Sequence, residues 1–228
     1  MKFLKIENRI FEFIFSNIIK WHLIYDQYRY FLNENEINSW AIDDNKYFQE
    51  KLSSLFEYGN SDEEFSELRT FDLYCGTIGQ DINNLLRGEV YNLKIEYLRE
   101  FICELESSLN KFKVSENVIS IRRMPSKFID SRYRKGNTFI ERGFLSTSMN
   151  LSYREDINAG RTLLKNEALL LIKIPKGTCA AYIEEAIPEY RQRKEYELLL
   201  QKDLAFYIEK NIKILSNRVI ILRVCNPR

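Results

Sequence analysis

The chain has 228 residues, of which 45% are hydrophobic and 14% aromatic, so it can bury the core of one large domain. Its 34 basic and 33 acidic residues leave a net charge of +1. This balance gives no electrostatic reason to expect a nucleic acid or an anionic membrane as the ligand. Any charged ligand must be held by a local cluster of side chains.

The cysteines and the single histidine do not form a metal-binding pattern. His22 has no cysteine near it in the sequence, and Cys75, Cys103, Cys179 and Cys225 are scattered among apolar residues. Because zinc sites need closely spaced pairs of these ligands, no metal is expected. The cysteines are interpreted as buried reduced thiols, and a disulfide between two of them is the alternative interpretation.

The start of the chain looks superficially like a secretion leader. Glu7, Arg9 and Glu12 interrupt its apolar stretch, and no small-residue cleavage site follows. The segment 10–19 is too short and too charged to span a bilayer. The sequence therefore predicts a soluble protein without such a leader.

The first 60 residues are predicted to be a helical segment packed on the rest of the chain. Residues 6–32 are rich in Ile, Phe, Trp and Tyr, with charges between them, which is typical of an amphipathic helix. An alternative interpretation is a surface that docks a partner protein or a membrane.

Further helices are predicted up to about residue 112. Ser61 and Glu64 form a capping box, and a short helix over 81–87 ends at Gly88. A long helix follows. The apolar residues on one face of this long helix are Leu98, Phe101, Ile102, Leu105, Leu109 and Phe112.

After Ser115 the pattern changes to strands rich in β-branched or alternating residues. The predicted strands are 118–122, 144–149, 168–174, 195–200 and 218–224. Helices followed by strands predict the α+β class.

Two carboxylates, Glu195 and Glu197, stand at the start of the apolar run that ends at Leu200. Because residues i and i+2 of a strand share a face, both are expected to project from one side of the sheet. Paired carboxylates suit chemistry that develops positive charge on a sugar carbon or removes a proton from a nucleophile. On its own Glu-x-Glu is weak evidence, since a solvated strand face explains it as well.

Other polar segments accompany this pair. Arg122 ends one predicted strand and Arg123 follows it, Ser146-Thr147-Ser148 lie at the end of the next, and a helix upstream carries Asn83 and Arg87. Each has a simple explanation alone: a surface arginine, a strand of β-formers, or a capped helix.

The order Arg, Ser-Thr-Ser, Glu-x-Glu resembles the mono-ADP-ribosyltransferase toxins of the arginine–serine–glutamate class. The resemblance covers residues 61–228, which it identifies as the catalytic domain, and includes Ala159-Gly160-Arg161 and Ile174-Pro175-Lys176-Gly177. The layout is similar to that of clostridial Rho-modifying exoenzymes and of the catalytic domain of actin-modifying binary toxins. It implies a helical N-terminal half followed by a two-sheet β-core.

The resemblance also implies roles for single residues, with NAD as the substrate. The implied NAD-binding residues are Asn83, Arg87, Arg122, Thr147 and Arg161. Ser146 is implied to orient Glu197, which would stabilise the oxocarbenium-like transition state. Glu195 is implied to engage the incoming nucleophile, and a glutamate there accompanies arginine acceptors in this family. Tyr190 is the candidate for target recognition.

The implied function is transfer of ADP-ribose from NAD to an arginine of a host protein, with actin as the first guess. Such a toxin or effector would be secreted or injected and act in the host cytoplasm. The N-terminal helices could bind a delivery partner or an antitoxin, and neither a metal nor a nucleic acid is expected. The alternatives are an NAD glycohydrolase, which transfers to water, and a non-catalytic module that binds NAD or a protein.

Overall fold

Helices precede most of the strands in the computed structural model, which describes residues 17, 27–31, 33–44, 70–89, 95–151, 166–187 and 195–225. The helical elements are α1 (Glu34–Asp44), a π-helical turn (Tyr74–Ile78), α2 (Gly79–Arg87), α3 (Ile95–Leu109), two short 3-10 helices (Ser126–Phe128 and Ser131–Tyr133) and α4 (Ile183–Ala186). The strands are β1 (Val118–Pro125), β2 (Thr138–Glu141), β3 (Leu145–Ser148), β4 (Glu167–Ile174), β5 (Ala180–Tyr182), β6 (Glu197–Leu200), β7 (Leu204–Ile214) and β8 (Asn217–Val224). The predicted α+β class is confirmed.

The strands pair in the order β2-β7-β8-β4-β1-β3-β6-β5, and every pair is antiparallel except β4–β8. Hydrogen bonding therefore runs through one eight-stranded sheet, and the two-sheet core implied by the resemblance is not confirmed. The number of paired residues nevertheless falls sharply between two central strands. Strands β1 and β4 pair along eight residues, whereas β1 meets β3 at the single pair Ile121–Ser148. The three strands β3, β6 and β5 thus form a smaller half attached through one short contact.

The predicted end of the helix over 81–87 is confirmed, whereas the capping box at Ser61 lies outside the described residues. Gly88 caps α2 with a φ of +75°, a left-handed conformation that glycine adopts without a Cβ clash, and its N–H faces the carbonyl oxygens of Asn84 and Leu85. Helix α3 buries the predicted apolar face against the smaller half of the sheet, but the helix ends at Leu109, so Phe112 joins this cluster from beyond it. None of the helices in the described ranges has the length and apolar character needed to cross a bilayer.

The segment 27–31 pairs with the start of β1 and with the residues that follow β3. Arg29 bridges Val118, and Phe31 bridges Asn150, in both cases in parallel. The helix predicted for 6–32 is therefore wrong at its end, because backbone pairing with the sheet outweighs the helical periodicity there. In the rest of that prediction only Asn17 is described, and it is helical.

Helix α1 packs into the main core. Ile37 is fully buried, and Trp40 places its ring 5.5 Å from that of Phe31 and 6.4 Å from that of Tyr182. These contacts join the N-terminal residues to the sheet. The proposed boundary between 1–60 and 61–228 falls within 45–69, outside the described residues, and stays a prediction.

Candidate active site

The pairing of β3 with β6 brings a serine and a glutamate to one face of the sheet. Ser148 lies directly opposite Glu197, and Ser146, two residues earlier, is on the same face. The Ser146 hydroxyl reaches the Glu197 carboxylate as a hydrogen-bond partner. Glu197 is only 8% exposed, so this carboxylate is largely withdrawn from water.

Glu195 does not share this face in the way the sequence predicted. Strand β6 begins at Glu197, and Tyr196 between the two glutamates has a φ of +51°, in the left-handed region. A residue in that conformation breaks the two-residue alternation of a strand. The prediction of a strand from residue 195 is therefore wrong at its start, and the motif presents one exposed carboxylate and one buried carboxylate.

Burial raises the pKa of the Glu197 carboxyl above its ordinary range. Hydrogen bonds from Ser146 and Cys75 and the charge of Arg122 pull this pKa down, while the charge of Glu195 pushes it up. The local donors thus favour the charged form that burial opposes. A carboxylate in this position can stabilise nearby positive charge strongly, because little water screens it.

Arg122 connects β1 to the serine strand. Its Nη1 donates to the carbonyl oxygen of Ser146 at 2.6 Å, and burial lowers the pKa of its guanidinium. A single hydrogen bond to protein occupies one of five donors, so this contact leaves further N–H groups for an anion.

The π-helical turn before α2 brings Tyr74 close to Glu197 and Arg122. Asn83 donates from Nδ2 to the Tyr74 hydroxyl at 2.8 Å, and that hydroxyl lies 3.4 Å from the carbonyl oxygen of Phe144. Burial raises the pKa of Tyr74, so its hydroxyl stays protonated. Asn83 Oδ1 is buried against Gly143 and has no hydrogen-bond partner among the described residues.

Arg87, at the end of α2, is held by an acidic residue that sequence reasoning did not single out. Its Nε lies 2.9 Å from Glu141 Oε1, and the same oxygen accepts the backbone N–H of Gly143 at 2.9 Å. Glu141 therefore fixes the direction of the Arg87 guanidinium without surrounding it.

A cavity of about 850 Å³ lies beside these residues. Basic side chains of its wall are Arg87, Arg122, Arg123, Lys127, Arg132 and Arg142. Asn83 and the rings of Phe128, Tyr133 and Phe139 also line it. Glu197 and Ser146 are not among the lining residues, so Arg122 is the link between the cavity and the buried carboxylate. Three acidic residues, Glu89, Asp130 and Glu141, line it too, against six basic ones. This excess of cations and the flat apolar surfaces fit an anionic ligand that carries aromatic rings.

The structure does not bring every predicted residue into this group. Thr147 is buried on the other face of the sheet and donates to the carbonyl oxygen of Leu198 at 2.9 Å. Arg123 lines the cavity but pairs with Glu167 at 2.7 Å. Arg161 and Tyr190 lie outside the described residues, and their roles stay predictions.

Sequence reasoning also missed residues that the fold places at the site. Tyr74 belongs to a π-helical turn, which has no periodic pattern to detect. Glu141 lies on a strand too short to be predicted. Glu184 follows the apolar run Ala180–Ile183, and an acidic residue directly after such a run was the one signal available.

Gly143 is a position where a side chain should disturb the site. A Cβ there would lie 2.5 Å from Asn83 Oδ1 and 3.1 Å from Arg87 Nη2. Since Asn83 is tied to Tyr74, we expect Gly143→Ala to cost about 1–3 kcal/mol of unfolding free energy in urea titrations. Combining it with Asn83→Ala removes the obstructing amide, so the double variant should lose less than the sum of the two single losses. Strict additivity would contradict the contact.

Comparison with known proteins agrees with these observations. A family model described as ADP-ribosyltransferase exoenzyme matches residues 37–222. An NAD(+)–arginine ADP-ribosyltransferase of Enterococcus faecalis is 33% identical over 129 residues, 56% of this chain and 25% of that protein. The chain thus spans about a quarter of the length of this curated relative.

Solved structures show the same fold at low identity. The C3 exoenzyme of Clostridium limosum gives a TM-score of 0.64 with 20% identity, covering 88% of this chain and 98% of that one. An ADP-ribosylating toxin of a C. perfringens binary enterotoxin, solved with NADH, gives 0.64 with 21% identity, covering 87% and 50%. The resemblance inferred from the motifs is confirmed, because the family match covers most of the chain: the chain belongs to the ADP-ribosyltransferase exoenzyme family.

Proposed function

We propose that this chain cleaves NAD and transfers ADP-ribose to an arginine side chain of a protein. The observation that carries the proposal is the buried Glu197 carboxylate, with Ser146 hydrogen-bonded to it and the charge of Arg122 close by. Family membership and the name of the Enterococcus faecalis relative support the same activity.

The residues present fit NAD as the substrate. Its pyrophosphate is anionic, and Arg87 and Arg122 line the cavity with donors left over from their protein contacts. Planar guanidinium groups pair well with phosphate oxygens. The cavity volume lies in the range typical of small-molecule sites.

In this proposal Glu197 holds the ribose bearing the nicotinamide and stabilises the positive charge that develops as the glycosidic bond breaks. The Ser146 hydroxyl fixes the direction of the carboxylate. Tyr74 closes the site on the helical side, since its hydroxyl joins Asn83 to Phe144, the residue before β3.

Glu195 is the residue assigned to the acceptor. It is exposed and precedes the strand, so a side chain of another protein can reach it. A carboxylate is a suitable partner for a guanidinium, which stays charged at neutral pH and must be steered and deprotonated. The acceptor protein to test first is actin.

The proposal also covers where the protein acts and how it is delivered. We place the activity in the host cytoplasm after secretion or injection, as a virulence toxin or effector, with the N-terminal segment available to a delivery partner or an antitoxin. The glycohydrolase alternative uses the same site with water as the acceptor.

The test is incubation of the full chain with biotin-labelled NAD and host-cell lysate, with nicotinamide release followed in parallel. Label on an arginine, located by mass spectrometry, supports the proposal. Nicotinamide release without labelled protein or labelled agmatine would favour the glycohydrolase. If neither labelled protein nor nicotinamide release were seen, catalysis by this chain would be contradicted.

A further inference from the structure

A buried acidic residue outside the Glu195–Glu197 motif holds the backbone of that motif. Glu184, in α4, is 4% exposed. Its Oε1 accepts the backbone N–H of Tyr196 at 2.5 Å, and its Oε2 accepts the Tyr182 hydroxyl at 2.9 Å. The backbone N–H of Glu195 is a third donor to the same carboxylate. One buried carboxylate therefore accepts hydrogen bonds from two consecutive backbone amides of the motif.

The backbone of the motif has a conformation that needs support from neighbouring groups. Tyr196 has a φ of +51°, which a residue with a bulky side chain rarely adopts unless the surroundings impose it. Its hydroxyl donates to Glu34 of α1 at 3.2 Å. The turn is thus fixed at its backbone by Glu184 and at its ring by the N-terminal helix.

The two glutamates of the motif depend on this hold to different degrees. Glu197 lies within β6 and is paired with Ser148 in the strand ladder. Glu195 precedes the ladder, and its described backbone contacts are the N–H to Glu184 and the carbonyl oxygen that accepts Ser148 Oγ at 2.7 Å. Loosening Glu184 should therefore move Glu195 much more than Glu197.

We propose that Glu184 is a positioning residue that sets the place of Glu195 for the acceptor, and so decides between transfer to a guanidinium and transfer to water. This rests on the proposed function. Three donors face the two carboxylate oxygens of Glu184. A glutamine keeps the size, and its N–H₂ can face the Tyr182 hydroxyl, but it replaces the charge-assisted bonds to the motif amides with weaker neutral ones, so the motif backbone is held less firmly.

The test compares the full chain with Glu184→Gln in two reactions: formation of ADP-ribosyl-agmatine, with agmatine as the guanidine acceptor, and nicotinamide release without acceptor. We expect kcat for transfer to fall about tenfold or more and kcat for hydrolysis to stay within about twofold, because small displacements of a reacting group carry large rate losses. Glu184→Asp, which withdraws the carboxylate by one methylene, should show the same split more weakly if the glutamine variant fails to fold.

Tyr182→Phe is the matched control, since it removes one donor to Glu184 and leaves both backbone amides bonded. It should keep most of the transfer activity. Hydrogen exchange of the Tyr196 amide gives a readout independent of activity, and it should be faster in Glu184→Gln. A parallel loss of both reactions, an unchanged transfer rate or an unchanged Tyr196 amide would overturn the proposal. A parent chain inactive in both reactions would instead contradict the proposed function, and the exchange result would still decide the role of Glu184.

Discussion

Glu197→Gln should lower both ADP-ribosyl transfer and NAD hydrolysis by on the order of 10²- to 10³-fold. The side chain is buried, so the amide keeps the shape of the site but removes the negative charge that faces the developing positive charge. The KM for NAD should change little, because the arginines that would hold the pyrophosphate are untouched. Steady-state nicotinamide release measures both parameters, and an unchanged kcat would exclude Glu197 from the reaction.

The same variant should be at least as stable as the parent at neutral pH. Burial raises the pKa of Glu197, so the fold favours its protonated form. A raised pKa in the folded state means that the stabilising contribution is complete below the unfolded value and is lost as the pH rises through the folded value. The neutral amide avoids this loss. Urea unfolding should therefore show an advantage for Glu197→Gln at pH 7 that shrinks toward acid pH.

Glu116→Gln is the control for both measurements. Glu116 makes a surface ion pair with Arg29 at 2.7 Å, and such exposed pairs contribute little, about 0–1 kcal/mol. This substitution makes the same change from carboxylate to amide away from the site. It should leave the reaction rates at the parent value and give no pH-dependent gain in stability. If Glu116→Gln gained as much stability as Glu197→Gln, burial of Glu197 would not be the cause of the gain.

The elements that could be predicted from the sequence are those with strong local patterns. Helix α2 ends at Gly88 as expected, and the centres of five strands were placed correctly because they are apolar runs of β-branched residues or leucine. Strand β2 was missed since it has only four residues and is largely exposed at the edge of the sheet. Strand β7 was missed because charged residues interrupt its alternation, which a register shift between Ile208 and Lys210 disturbs further.

In the site, too, the residues with local motifs could be predicted and their contacts could not. Arg122, Ser146 and Glu197 could be identified in order from the motifs, but their contact depends on the register of β3 with β6, which lies in long-range pairing. The left-handed Tyr196 has no marker in the sequence, since glycine and asparagine are the residues that usually signal it. That turn is what separates the two glutamates into an exposed and a buried carboxylate.

This separation predicts that Glu195→Gln acts differently from Glu197→Gln. The exposed carboxylate meets the acceptor, and an amide can neither take its proton nor balance its charge. We expect transfer to agmatine or to a protein arginine to fall on the order of 10²-fold or more. NAD hydrolysis should stay within a few-fold of the parent, because Glu197, Ser146 and Arg122 keep their contacts.

The ratio of the two rates is the decisive measurement, since it cancels differences in active protein between preparations. Parent, Glu195→Gln and Glu116→Gln are compared at one NAD concentration, with and without agmatine. If Glu195→Gln reduces hydrolysis as much as transfer, Glu195 acts on NAD itself and the division of roles between the two glutamates is wrong. If transfer persists at the parent rate, another group receives the acceptor's proton, and the exposed position of Glu195 has a different purpose.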